Sequence, residues 1–77
     1  MAVKIYSTPN CPWCIRTKAF LKEHNILYEE LNVAENHKAR HEMITKSGQM
    51  GVPVLDIDGV IIVGFDEEKI RAALKLK

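Results

Sequence analysis

The chain contains two cysteines, and both stand in one short stretch, Cys11-Pro12-Trp13-Cys14. Two thiols at this spacing can hold a metal, close a covalent loop, or alternate between dithiol and disulfide. Their setting favours the third use. Pro12 suits the first turn of a helix, so Cys11 falls at a helix start, where backbone N–H groups lack partners and the dipole presents partial positive charge. The thiolate is the reactive form of cysteine, and such a position favours it, which makes Cys11 the candidate nucleophile. Cys14 lies one turn on along the same helix face, within reach of Cys11. The expected chemistry is attack by Cys11 on a disulfide, a mixed disulfide, then attack by Cys14 on Cys11 to release the reduced product. Pro12 stiffens this loop and Trp13 projects from it, either for partner contact or packed on the surface.

The other uses fit less well. A disulfide closing so short a loop removes little chain entropy and is a poor staple. A zinc site would have to recruit His37 and His41, one helical turn apart, and the gap from Cys14 to His37 is well beyond finger spacing. His24, His37 and His41 read as solvated polar positions, and no metal site is expected.

The surrounding pattern must position the cysteines. Val3 to Ser7 is β-branched and aromatic, a buried strand, broken by Thr8-Pro9-Asn10. Helix formers run from Trp13 to about His24, with Ile15, Ala19, Phe20 and Leu21 as apolar candidates and Asn25 as the stop. Ile26 to Val33 alternates as a second strand. Asn36 caps a polar second helix that reaches about Ser47, with Gly48 supplying a left-handed end. Residues 52–57 and Val60 to Val63 flank Asp58-Gly59, a two-residue hairpin signal. Asp66 caps a last helix, with Glu67 and Glu68 at its positive end and Lys75 and Lys77 near its far end. The order β-α-β-α-β-β-α implies an α/β fold. A parallel pair joined by a right-handed crossover, then a hairpin, gives a four-stranded mixed sheet flanked by three helices. A Cys-x-x-Cys opening the first helix after the first strand points to a thioredoxin-like redox site.

Composition agrees with one small domain spanning residues 1–77, with 47% hydrophobic, 27% charged and 6% aromatic residues and a formal charge of +1. Basic residues are scattered without aromatic interleaving, so no nucleic-acid footprint is present. No stretch has the length of a membrane span, and the N-terminus lacks the apolar region of a signal peptide, so the expected location is cytoplasmic and the expected state monomeric. In that compartment a disulfide is transient and catalytic.

Three elements in order resemble the glutaredoxin family over essentially the whole chain: Cys11-Pro12-Trp13-Cys14 after a Val-Lys-Ile-Tyr strand, Val52-Pro53 before a hairpin, and Val63-Gly64-Phe65-Asp66-Glu67 opening the last helix. The resemblance implies a thioredoxin-like fold in which Val52-Pro53 is a cis peptide facing the cysteines. It also implies that the Val52 backbone pairs with an extended peptide or with glutathione. Pro12, Trp13, Val52, Pro53, Gly64, Phe65 and Asp66 would then form the glutathione and substrate site, with the last helix start taking the γ-glutamyl carboxylate and Asp66 the ammonium.

The resemblance further implies no bound cofactor, glutathione as reductant and disulfide-containing proteins as substrates. The chain departs from the pattern at Val63 and Glu67, which replace a glycine and an aspartate, and at Gly51, where threonine is common. Thr8 stands where many members carry a lysine that pairs with the glycine carboxylate of glutathione. Gly64-Phe65 is similar to glutaredoxin-like donors that take electrons from thioredoxin reductase, so that flavoprotein is the alternative partner. An iron–sulfur carrier built on Cys11 is a further alternative, disfavoured by Pro12 and the intact cysteine pair. Lys18 is either a support for the thiolate or an exposed helix lysine, and Tyr6 either lines the groove or packs in the core.

Overall fold

The computed structural model describes residues 2–76, and Lys77, expected near the end of the last helix, lies outside them. Four strands, β1 (Val3–Ser7), β2 (Glu29–Asn32), β3 (Val54–Ile57) and β4 (Val60–Val63), alternate with α1 (Pro12–Glu23), α2 (His37–Ser47) and α3 (Glu67–Leu74) in the expected order. The sheet runs β2-β1-β3-β4, with β1 and β2 parallel and the other pairs antiparallel.

Period-two alternation on β1 and β3 divides the core between the faces of the sheet. Val3 and Ile5 join Leu55, Ile57 and Ile62 against Phe20 and Leu21 of α1 and Ile70 and Leu74 of α3. Tyr6 and Val54 face the other way, onto Val33 and onto Ala39 and Met43 of α2. Fully burying a Leu or Ile side chain contributes roughly 1.5–3 kcal/mol, so the α1/α3 side, with more such residues, is the main source of stability.

Local signals set most of the boundaries. The side chains of Asn36 and Asp66 accept from the Ala39 and Lys69 amides at 3.0 and 3.1 Å, capping α2 and α3. Gly48 ends α2 at φ 71°. Asp58 and Gly59 both have positive φ, 50° and 90°, as a type I′ turn requires.

Three expectations fail locally. β2 begins at Glu29, not Ile26, because the β1 ladder offers partners only from Lys4 onward, and Leu27 is left exposed. β3 begins at Val54, so Val52 and Pro53 stand outside the ladder. On α1 the inward stripe is Cys14, Thr17, Phe20 and Leu21, whereas Ile15 and Ala19 face solvent. The buried Cys14 sets that phase.

Candidate active site

β1 delivers the chain to the loop Thr8-Pro9-Asn10, and Cys11 then takes the extended conformation of a helix cap, φ −109° and ψ 106°. Its Sγ accepts from the Cys14 backbone N–H at 3.1 Å, the role an oxygen usually fills at a helix start. The same sulfur lies 3.9 Å from the Val52 carbonyl oxygen, to which the thiol donates. The Val52–Pro53 peptide is cis. Both cysteines are free thiols, so the structure describes the reduced state.

Cys14 is fully buried behind Cys11. Burial pushes its thiol up to about 12, the hydrogen bond with Cys11 adds to the shift, and the Thr8 backbone N–H and the Lys18 charge act in the opposite sense. Both thiols are buried, but Cys11 keeps 8% of its surface exposed at the helix start whereas Cys14 has none.

Beside Cys11 a groove of about 220 Å³ is lined by Trp13, Val52, Pro53, Gly64 and Phe65. Trp13 stacks on Phe65 with ring centroids 6.4 Å apart, and Arg16 lies over the other ring neighbour of this wall, Trp13, at 5.5 Å. Phe65 in turn meets Phe20 edge-on at 5.8 Å, which ties the wall to the core. Gly64, at φ 80°, makes the turn out of β4, and its N–H donates to the Pro53 carbonyl at 2.8 Å. The structure thus brings Cys11, Trp13, Val52, Pro53, Gly64 and Phe65 together, with Asp66 starting α3 next to them.

A second groove of about 240 Å³ opens on the far side of Val52, lined by Thr8, Val33, Ala34, Arg40, Met43, Met50 and Val52. Arg40 and Met50 were not singled out from the sequence. The available signal was Arg40 three positions before Met43 on one helix face.

Two ambiguous residues are resolved. Tyr6 is wholly buried under α2, and its hydroxyl donates to Glu42 and accepts from Lys46 at 3.0 Å, so it does not line the groove. Lys18 is half-buried and pairs with Glu30 at 2.7 Å, while Ser7 donates to the same carboxylate oxygen at 2.9 Å. The Lys18 bond holds the Glu30 carboxyl below its usual range. Among the described residues no three His, Cys, Asp or Glu side chains converge, and His37 and His41 stay on the exposed face of α2.

A dithiol at a helix start, facing the loop before an antiparallel hairpin on this sheet order, defines a redox protein of the thioredoxin fold. The glutaredoxin family model matches residues 3–62. The chain is 56% identical over 68 residues to a glutaredoxin-like 8.6 kDa protein in the rubredoxin operon of Clostridium pasteurianum, covering 88% of this chain and 91% of that one. It is 40% identical over 65 residues to glutaredoxin 3 of Escherichia coli (strain K12), covering 84% and 78%. Among solved structures, a variant of a thioredoxin-like protein superposes with a TM-score of 0.92 at 33% identity, covering 97% of this chain and 96% of the other. The chain belongs to the glutaredoxin family and is a disulfide oxidoreductase.

Proposed function

We propose that this protein reduces protein disulfides and glutathione mixed disulfides by a dithiol mechanism, with Cys11 as nucleophile and Cys14 as resolving thiol. The observation that carries the reading is the Cys11 sulfur, held at a helix start by the Cys14 N–H at 3.1 Å and lying 3.9 Å from the carbonyl of Val52, a residue that lines the neighbouring groove. The Cys11 thiolate attacks one sulfur of a substrate disulfide, forming a mixed disulfide and expelling the first thiolate. Cys14 then gives up its proton and attacks the Cys11 sulfur. The second substrate thiolate leaves and takes a proton, and the Cys11–Cys14 disulfide holds the two electron equivalents of oxidation. Part of what suppresses ionisation of Cys14 comes from Cys11 itself, and a Cys11 locked in a mixed disulfide withdraws that contribution.

Two molecules of glutathione, becoming oxidised glutathione, are the reductant in this reading, and no bound cofactor or metal takes part. The N–H groups at the start of α3 suit the γ-glutamyl carboxylate, Asp66 its ammonium, and the Val52 backbone the extended peptide. Thr8 leaves the glycine carboxylate without the usual lysine. Arg40, in the groove beyond Val52, supplies a cation on that side. The reading places the protein in the cytoplasm, where thiols are kept reduced; among the described residues no helix is long and apolar enough to cross a membrane.

The test is reduction of the oxidised protein, followed by Trp13 fluorescence, with reduced glutathione or with NADPH and thioredoxin reductase as electron source. Rapid reduction by glutathione, slowed by Arg40→Ala, supports the reading. Reduction by the flavoprotein alone would make Thr8, Val63 and Phe65 decisive and assign the alternative donor role. A Cys11→Ser variant that keeps full disulfide reduction would overturn both.

A further inference from the structure

The segment between α2 and β3 carries the substrate-facing Val52, yet contributes no ladder bonds of its own. On its N-terminal flank it is gripped by the Gln49 carboxamide. The Gly51 N–H donates to Gln49 Oε1 at 2.6 Å, and Gln49 Nε2 donates back to the Gly51 carbonyl at 3.0 Å, so one side chain grips both polar groups of the residue before Val52. The same Nε2 reaches Ser47 Oγ at 3.2 Å. Ser47 is anchored in turn, its hydroxyl lying 2.7 Å from the Met43 carbonyl and 3.0 Å from that of Gln49. Met43 belongs to the core beneath α2. A continuous chain of hydrogen bonds therefore runs from the core to Gly51. On the other flank the Gly64 N–H holds the Pro53 carbonyl at 2.8 Å. Val52, whose carbonyl meets Cys11 Sγ and whose side chain divides the two grooves, lies between these two holds.

Gly51 is matched to this grip by size. A Cβ placed on Gly51 would lie 2.7 Å from Gln49 Oε1, with the next atom, also of Gln49, at 3.8 Å. The space a side chain would take is filled by the end of the Gln49 carboxamide. The φ of Gly51 lies outside the left-handed region, so conformational freedom is not the reason for the glycine.

We propose that Gln49 is a positioning residue that presents the Val52 backbone to the substrate disulfide, and that Gly51 is required because Gln49 occupies the space a side chain would take. The proposal rests on the disulfide-reducing reading above. Gln49 touches neither thiol. Its effect is on capture of an extended substrate at Val52, and the sulfur exchange at Cys11 proceeds as before.

The experiment measures steady-state reduction of a glutathionylated peptide by wild type, Gln49→Ala, Gln49→Glu, Gly51→Ala and the double variant, with amide hydrogen exchange at Gly51 and alkylation of Cys11 alongside. Gln49→Ala is expected to raise KM about tenfold while kcat stays within about twofold, since the lost bonds order a binding strand and do not touch the reacting sulfurs. Gly51 exchange should accelerate and Cys11 alkylation should not change. Gln49→Glu, which can still accept from Gly51 but no longer donate, should fall between. Gly51→Ala should reproduce the KM defect alone and add nothing to Gln49→Ala, because the only atoms it displaces are then gone. An unchanged KM in Gln49→Ala, a fall in kcat at constant KM, or additive effects in the double variant would overturn the proposal. A wild-type protein that reduces no disulfide would show the failure of the functional reading in its own arm and take this proposal with it.

Discussion

The asymmetry between the two thiols makes a sharp prediction for alkylation of the reduced protein. A free thiol, with pKa about 8.5, is roughly 3% ionised at pH 7, whereas a thiol at about 12 is ionised to about one part in 10⁵. That difference alone slows iodoacetamide at Cys14 by about 10³-fold relative to an ordinary cysteine, and complete burial slows it further. The reduced protein should therefore take one label at pH 7, on Cys11, and the second only after unfolding in urea, as read by intact mass and peptide mapping. A second outcome follows from the cause of the shift. Because Cys11 helps to suppress ionisation of Cys14, the Cys11→Ser variant should label at Cys14 at lower pH than wild type does, with burial keeping the midpoint above that of a free thiol. Equal labelling of both cysteines in the native protein at pH 7 would refute the reasoning.

Other perturbations test the frame around the site. Lys46→Met removes bonds to Asp56 at 2.6 Å and to the Tyr6 hydroxyl and should cost about 1–2 kcal/mol near neutral pH, measured by urea unfolding. Burial is the largest single effect on Asp56 and opposes its ionisation, but the Lys46 bond, the Gly59 N–H and the Lys46 and Lys4 charges together outweigh it, and Tyr6 and Lys46 hold Glu42 low, so both carboxyls sit below their unfolded values. Their stabilisation is present above about pH 4 and is lost as pH falls through the folded values, so wild type and Lys46→Met should converge in acid. Lys46 is itself raised, chiefly by Asp56, so its contribution should persist below about pH 10 and disappear only as pH rises further. Leu55→Ala empties a fully buried position on a central strand and should cost about 2–5 kcal/mol, seen as a lower urea midpoint. Asp66→Ala deletes the α3 cap and should cost about 1 kcal/mol by the same assay, and under the proposed function it should also raise KM for glutathione in the reduction assay.

What was legible in the sequence was whatever a few neighbouring residues decide. Asn36 and Asp66 cap helices because a short side-chain acceptor reaches an amide three residues on. Asp58-Gly59 turns because both positions tolerate positive φ, and Cys11-Pro12-Trp13-Cys14 opens a helix because proline belongs in a first turn. These signals, with the alternating runs between them, determined the element order, and the resemblance they carried pointed to the cysteines as the site.

Tertiary structure decided what depends on partners distant in the chain. Ile26 to Tyr28 has strand character but no strand, because the β1–β2 ladder starts only at Lys4 and Glu29. Ile15 is as apolar as Leu21 and still faces water, since the helix docks with Cys14 inward. Lys18, on α1, could have faced either way until Glu30, on β2, took its charge. The roles proposed for Arg40 and Gln49 have no counterpart in the local sequence; they rest on folding, which brings α2 and the loop after it against Val52, and Val52 against Cys11. Hydrogen bonds and ion pairs act over a few ångströms, so only the folded chain, which sets those distances, could assign them.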